Sequence, residues 1–152
     1  MFNNIAEALP NIKFLWIGDG ELRNCLTAPN IEITGWTDRF NALTLAQNAD
    51  VFILTSLWEG LPISLLEAMF MKKTCVVSNV IGNKDVIHNK LNGYLCDNLD
   101  EFVKAIKDTQ LSNENVYSEK AYQDIINTYN TKIQAKKYDD IYKQQLIKKH
   151  IN

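Results

Sequence analysis

Two glutamates, Glu59 and Glu67, stand with seven residues between them in the run Ser56-Leu57-Trp58-Glu59-Gly60-Leu61-Pro62-Ile63-Ser64-Leu65-Leu66-Glu67-Ala68. Pro62 suits the first position of a helix, because its missing N–H would have no partner there in any case. A helix that starts at Pro62 leaves the amides of Ile63 and Ser64 free, and with the positive end of the helix dipole they form an anion site suited to phosphate. Glu67 then lies about 8 Å further along the helix, at roughly 1.5 Å of rise per residue. Its neighbours one turn away are Ile63, Ser64, Phe70 and Met71, so the helix itself offers it no basic partner. A carboxylate on so apolar a helix is costly unless something donates hydrogen bonds to it, as the hydroxyls of a sugar or a ribose would. The plainer alternatives are a Glu67 that shares a solvent-facing edge with Ser64, and a Glu59 that makes only a favourable dipole contact near the helix start.

These residues need a scaffold, and the rest of the chain describes one. Short β-branched or aromatic runs alternate with helical patterns, which predicts an α/β fold with a parallel sheet. The expected strands are 12–17, 31–35, 50–54, 74–78 and 93–96. The expected helices between them are 21–26, 38–47, 62–71 and a short one at 84–89. After Cys96 come three helical segments, at 99–109, 113–129 and 131–149, with no further strand. An opening helix at 2–9 leads straight into the first strand, as if an earlier strand belonged ahead of it. In the last segment Tyr138, Ile141, Tyr142, Leu146 and Ile147 recur at helical spacing, which fits either packing on another body or a solvated amphipathic face.

Open α/β sheets bind ligands beyond the carboxyl ends of their strands, so three other loops are candidates. Gly18-Asp19-Gly20 permits close backbone approach to an anion, yet Arg23 stands where a dinucleotide fingerprint requires a third glycine. In Gly35-Trp36-Thr37-Asp38, Asp38 can cap the next helix, and Trp36 can either wall a nucleotide base or pack the loop onto the core. In the loop from Ser78 to Asp85, Gly82 with Asn83 would bring the backbone close to a ligand or simply make a turn.

Composition narrows the function classes. The chain has 152 residues, 46% hydrophobic and 22% charged, with a formal net charge of -2. That length can support one sizeable core, and the balance of charge lacks the basic surplus that nucleic-acid binding through phosphates requires. Cys25, Cys75 and Cys96 are far apart and odd in number, and they read as buried, reduced thiols of a cytoplasmic protein. His88 and His150 have no companions at metal-ligand spacing, so no metal site is expected. No run approaches the length of a membrane span, and no signal peptide is visible. Six lysines between Lys132 and Lys149 would allow weak attraction to anionic lipid, but interleaved acidic and amide side chains favour a solvated face.

The series Gly18-Asp19-Gly20, Gly35, Ala49-Asp50-Val51-Phe52-Ile53-Leu54-Thr55-Ser56, Glu59-Gly60-Leu61-Pro62 with Glu67-Ala68, and Asn92-Gly93-Tyr94-Leu95 resembles the carboxyl-terminal domain of family 4 retaining glycosyltransferases. The glutamate pair is the specific part of the likeness. The resemblance implies a single Rossmann-like domain over residues 1–152, the carboxyl-terminal half of a GT-B fold, with closing helices. It implies a donor site in which Glu59 contacts the donor sugar and Glu67 the ribose hydroxyls. Around them Gly18, Gly20, Ser56, Gly60, Leu61, Ile63 and Ser64 would serve the diphosphate and sugar, and Gly35 and Trp36 would lie against the base. The donor would be a nucleotide sugar, a UDP-sugar by expectation, with no metal and no other cofactor. The acceptor would be a polysaccharide or lipid-linked glycan, held by an amino-terminal domain or partner chain outside this sequence, at the inner face of the membrane. The family also supplies an arginine and a lysine to the diphosphate from a loop ahead of the present Met1. In the fourth loop its glycine pair and glutamate appear here as Ile81-Gly82 and Asp85. The expectation is therefore a donor-binding half that is inactive alone, and the rival reading is a non-catalytic half-enzyme or partner subunit.

Overall fold

The computed structural model describes residues 1–111 and 116–151. Five short parallel strands carry the fold, β1 (Phe14–Trp16), β2 (Ile31–Ile33), β3 (Val51–Leu54), β4 (Thr74–Ser78) and β5 (Tyr94–Cys96). They form two sheets, β1 beside β2 and β4 between β3 and β5, where the sequence reading expects one. The helices are α1 (Phe2–Ala8), α2 (Arg39–Gln47), α3 (Ile63–Phe70), α4 (Asn83–Val86), α5 (Leu99–Leu111), α6 (Val116–Thr128) and α7 (Thr131–Ile151), with a 3-10 helix at Glu21–Cys25. The expected start of the sixth helix at Asn113 lies outside the described residues.

Because side chains alternate across a strand, each strand of the larger sheet feeds two cores. Val51, Ile53, Val76, Tyr94 and Cys96 face one side, where Phe2, Ile5 and Ala6 of α1 and Phe102, Ala105 and Ile106 of α5 cover them. Phe52, Leu54, Cys75, Val77 and Leu95 face the other, under Leu65, Ala68 and Met69 of α3 and Ala121 and Ile125 of α6. The smaller sheet joins the first core through Phe14, Trp16 and Ile31, so both sheets share one apolar interior. Phe2 fixes that junction with edge-to-face contacts to Phe14 and Trp16, at centroid distances of 5.7 and 5.2 Å. Asn30 closes the lower end of the smaller sheet by donating from Nδ2 to the carbonyls of Ala6, Leu9 and Ile12.

One further expectation is corrected. Cys75 and Cys96 are buried, but Cys25 is exposed, because the segment expected as a helix at 21–26 forms a 3-10 turn that lies on the surface with no buried residue. In α7, Tyr138, Ile141, Tyr142, Leu146 and Ile147 are all exposed. Within this chain the segment presents a solvated face with a stacked Tyr138–Tyr142 pair, one of the two alternatives its spacing allows. Among the described residues no helix is long and apolar enough to cross a membrane.

Candidate functional site

The loops that follow β1, β2, β3 and β4 all open at the carboxyl edge of the two sheets, and each is pinned by a specific contact. Gly18 and Gly35 form a bridge across the ends of β1 and β2, and the Gly18 amide donates to Thr34 Oγ1 at 3.0 Å. Gly35 has φ of +71°, and a Cβ there would stand 3.5 Å from Arg23 Nη1. Arg23 itself pairs with Asp19 at 3.1 Å, so the residue that spoils the dinucleotide fingerprint ties down its own loop. Gly20 sits in the exposed part of that loop.

Trp36 follows Gly35 and is 83% exposed, which removes the core-packing alternative for this ring. Asp38 caps α2 as expected, accepting from the Asn41 amide at 3.0 Å. That backbone hydrogen bond, offset in part by desolvation, holds the Asp38 carboxyl below its ordinary value.

In the loop after β3, Ser56 Oγ donates to Glu59 Oε1 at 2.5 Å, and both residues are half-buried. Pro62 turns out to be the N-cap and not the first helical residue, with an extended ψ of 104°, so α3 begins at Ile63. The amides of Leu65 and Leu66 both donate to the Pro62 carbonyl. The amides of Ile63 and Ser64 precede the first intrahelical bond and point out of the helix start, as the sequence reading requires. Gly60 and Leu61 are exposed beside them.

Glu67 does not share an open edge with Ser64. Its side chain is 25% exposed, and Oε1 accepts from Arg39 Nη2 at 2.5 Å. The partner that α3 could not supply comes from the first residue of α2, which ties the start of α2 to the middle of α3. Spacing along one helix cannot show a residue 28 positions away; the only signal was that Arg39 is one of two arginines and directly follows a capping aspartate.

The loop after β4 departs from expectation. Gly82, with φ of +88°, brings its backbone against Glu59 and Gly60, where a Cβ would meet the Glu59 carbonyl oxygen at 2.8 Å. The close approach foreseen for a ligand is thus made to the neighbouring loop. Asp85 accepts from the Gly82 amide, and buried Asn83 donates to the Ser78 carbonyl at 2.9 Å. The short helix expected at 84–89 is α4, which ends at Val86, and His88 lies beyond it on the surface. Beside Ser56 a cavity of about 160 Å³ opens between Thr55, Ser78, Asn79, Cys96 and Asp97. It is smaller than ligand pockets usually are, so a molecule the size of a nucleotide would lie across the loops and not inside it. Among the described residues no three His, Cys, Asp or Glu side chains are grouped to hold a metal ion.

Parallel α/β layers with loops gathered over an open helix start are the architecture of one half of a GT-B glycosyltransferase. The chain belongs to the group 1 glycosyl transferases, whose family model matches residues 1–110. It is 32% identical, over 153 aligned positions, to the UDP-Gal:alpha-D-GlcNAc-diphosphoundecaprenol alpha-1,3-galactosyltransferase of Escherichia coli, covering 93% of this chain and 39% of that protein. Its fold is also that of sucrose-phosphate synthase from Thermosynechococcus elongatus, with a TM-score of 0.78 at 14% identity over 95% of this chain and 42% of the other. The pneumococcal O-GlcNAc transferase GtfA, solved with UDP and GlcNAc, has a TM-score of 0.71 at 20% identity over 95% of this chain and 31% of its own. This chain therefore spans well under half the length of these relatives.

Proposed function

We propose that these residues form the donor-binding half of a retaining glycosyltransferase, which takes a sugar from a UDP-sugar and passes it to a lipid-linked or polysaccharide acceptor at the inner face of the membrane. The observation that carries the reading is the start of α3, where the outward amides of Ile63 and Ser64 lie between the half-buried carboxylates of Glu59 and Glu67. In this reading the diphosphate sits on those amides and the backbone of Gly60 and Leu61, where oriented N–H groups stabilise the charge that grows on the leaving group. Glu67 accepts from the ribose hydroxyls, and Glu59, steadied by Ser56, accepts from hydroxyls of the donor sugar near the reacting carbon. Gly18, Gly20 and Gly35 keep their loops low enough for the nucleotide to approach, and Trp36 offers a face to the base.

The relatives support the choice of ligands. The E. coli protein is named for a UDP-sugar donor and a diphosphoundecaprenol-linked acceptor, and the pneumococcal enzyme was solved with UDP. Isothermal titration of UDP, GDP and ADP into the 152-residue chain tests the assignment. Micromolar to millimolar binding of UDP, weakened about tenfold or more by Glu67→Ala, is expected from the loss of hydrogen bonds to a charged acceptor. Absence of binding by any of the three to a folded chain would favour the non-catalytic reading.

A further inference from the structure

We infer that Arg39 is the positioning residue of this site, holding one oxygen of Glu67 so that the other is presented to a ribose hydroxyl; the inference rests on the donor-site reading above. Arg39 Nη2 engages Oε1 alone, at 2.5 Å. A carboxylate has lone pairs for about four hydrogen bonds, so Oε2 keeps its full accepting capacity. The arginine side chain is 77% exposed and the glutamate 25%. A pair so open to water adds little to the stability of the fold. Its effect lies in orientation: a free glutamate on a helix surface samples several rotamers, and fixing them before the ligand arrives removes an entropic penalty from binding.

The placement of Arg39 adds a second consequence. It is the first residue of α2, joined through the Asp38 cap to the loop bearing Trp36. The ion pair thus links the segment that offers a ring to the base with the helix that offers a carboxylate to the ribose. A ligand that uses both is recognised as a nucleoside, and loss of either hydroxyl is sensed by a carboxylate that cannot swing to compensate.

The test compares UDP with 2′-deoxy-UDP by titration in four proteins: the parent chain, Glu67→Ala, Arg39→Ala and Arg39→Lys. The parent is expected to prefer UDP by about tenfold, the usual worth of a hydrogen bond to a charged group. Glu67→Ala should abolish the preference. Arg39→Ala should cut it to about threefold or less with thermal stability unchanged, and Arg39→Lys, which restores a charge without the planar fork, should recover part of it. If the parent shows no preference, or Glu67→Ala retains it, the ribose assignment fails and this inference with it. If Glu67→Ala abolishes the preference while Arg39→Ala leaves it intact, the inference about Arg39 alone is overturned. Tighter UDP binding by Arg39→Ala would likewise overturn it, since the arginine would then be occupying the place of the ribose.

Discussion

The backbone of Gly82 is packed against that of Glu59 so closely that no side chain fits between them: a Cβ at Gly82 would stand 2.8 Å from the Glu59 carbonyl oxygen. The loop after β4 thus props the loop after β3, and the height of Glu59 over the start of α3 depends on a residue that touches no ligand in the proposed complex. Gly82→Ala meets two obstacles, the close contact and a φ of +88° that side-chain-bearing residues rarely adopt. We expect a loss of about 1–3 kcal/mol in unfolding free energy, measured with denaturant, from the strained backbone. UDP affinity should fall with it. A Gly82→Ala protein of parental stability and affinity would show that the two loops are not mechanically joined.

Trp36 separates binding from stability. Being 83% exposed, it contributes little to the core, so Trp36→Ala should leave the unfolding midpoint in place. Stacking of a base on an aromatic ring is worth about 1–3 kcal/mol, so UDP binding should weaken by roughly 5- to 150-fold. Unchanged affinity would remove Trp36 from the site.

Thiol reactivity reports the two environments of the cysteines. Burial pushes the Cys96 thiol up to about 12 and drives that of Cys75 upward as well, which suppresses the reactive thiolate in both. Cys25 is exposed on its 3-10 turn. A thiol reagent at neutral pH should therefore modify Cys25 alone in the folded protein and all three after unfolding. Rapid modification of Cys75 without unfolding would contradict the packing under α3.

Much of this arrangement could be read in the sequence, because hydrophobic pattern is a local property. β4 occupies 74–78 as expected, and its apolar centre Cys75-Val76-Val77 is buried, as a strand covered on both faces requires. Pro62 marked the start of α3 to within one residue, the ordinary scatter of a helix boundary. Tertiary features were hidden. The division into two sheets depends on which strand edges meet, and apolar runs carry no information about edges. Cys25 lies in a segment expected as a helix, but a 3-10 turn of five residues presents most of its surface to water. The Arg39–Glu67 pair joins residues from two helices, and nothing in the spacing of either announces the other.

The cap on α2 makes stability depend on acid. The Asn41 amide holds the Asp38 carboxyl below its ordinary value in the folded chain. A group of this kind stabilises the fold at every pH above its unfolded value, and the contribution disappears as pH falls through the lower, folded value. Asp38→Asn keeps an acceptor for the Asn41 amide but does not titrate. Between about pH 4 and pH 2, around the unfolded carboxylate value, the variant should lose less stability than the parent in thermal melts. Parallel pH profiles for the two proteins would mean that the cap is absent in solution.

In the proposed complex the amino end of α3 holds the diphosphate of a nucleotide between Glu59 and Glu67. Titrating UDP into isotopically labelled chain and following backbone amide resonances examines it directly. The largest shifts are expected on Gly60, Leu61, Ile63 and Ser64, with smaller ones at Gly18, Gly35 and Trp36, and Glu67→Ala should reduce all of them at the same UDP concentration. Shifts centred instead on the exposed face of α7, or spread evenly over the surface, would contradict it.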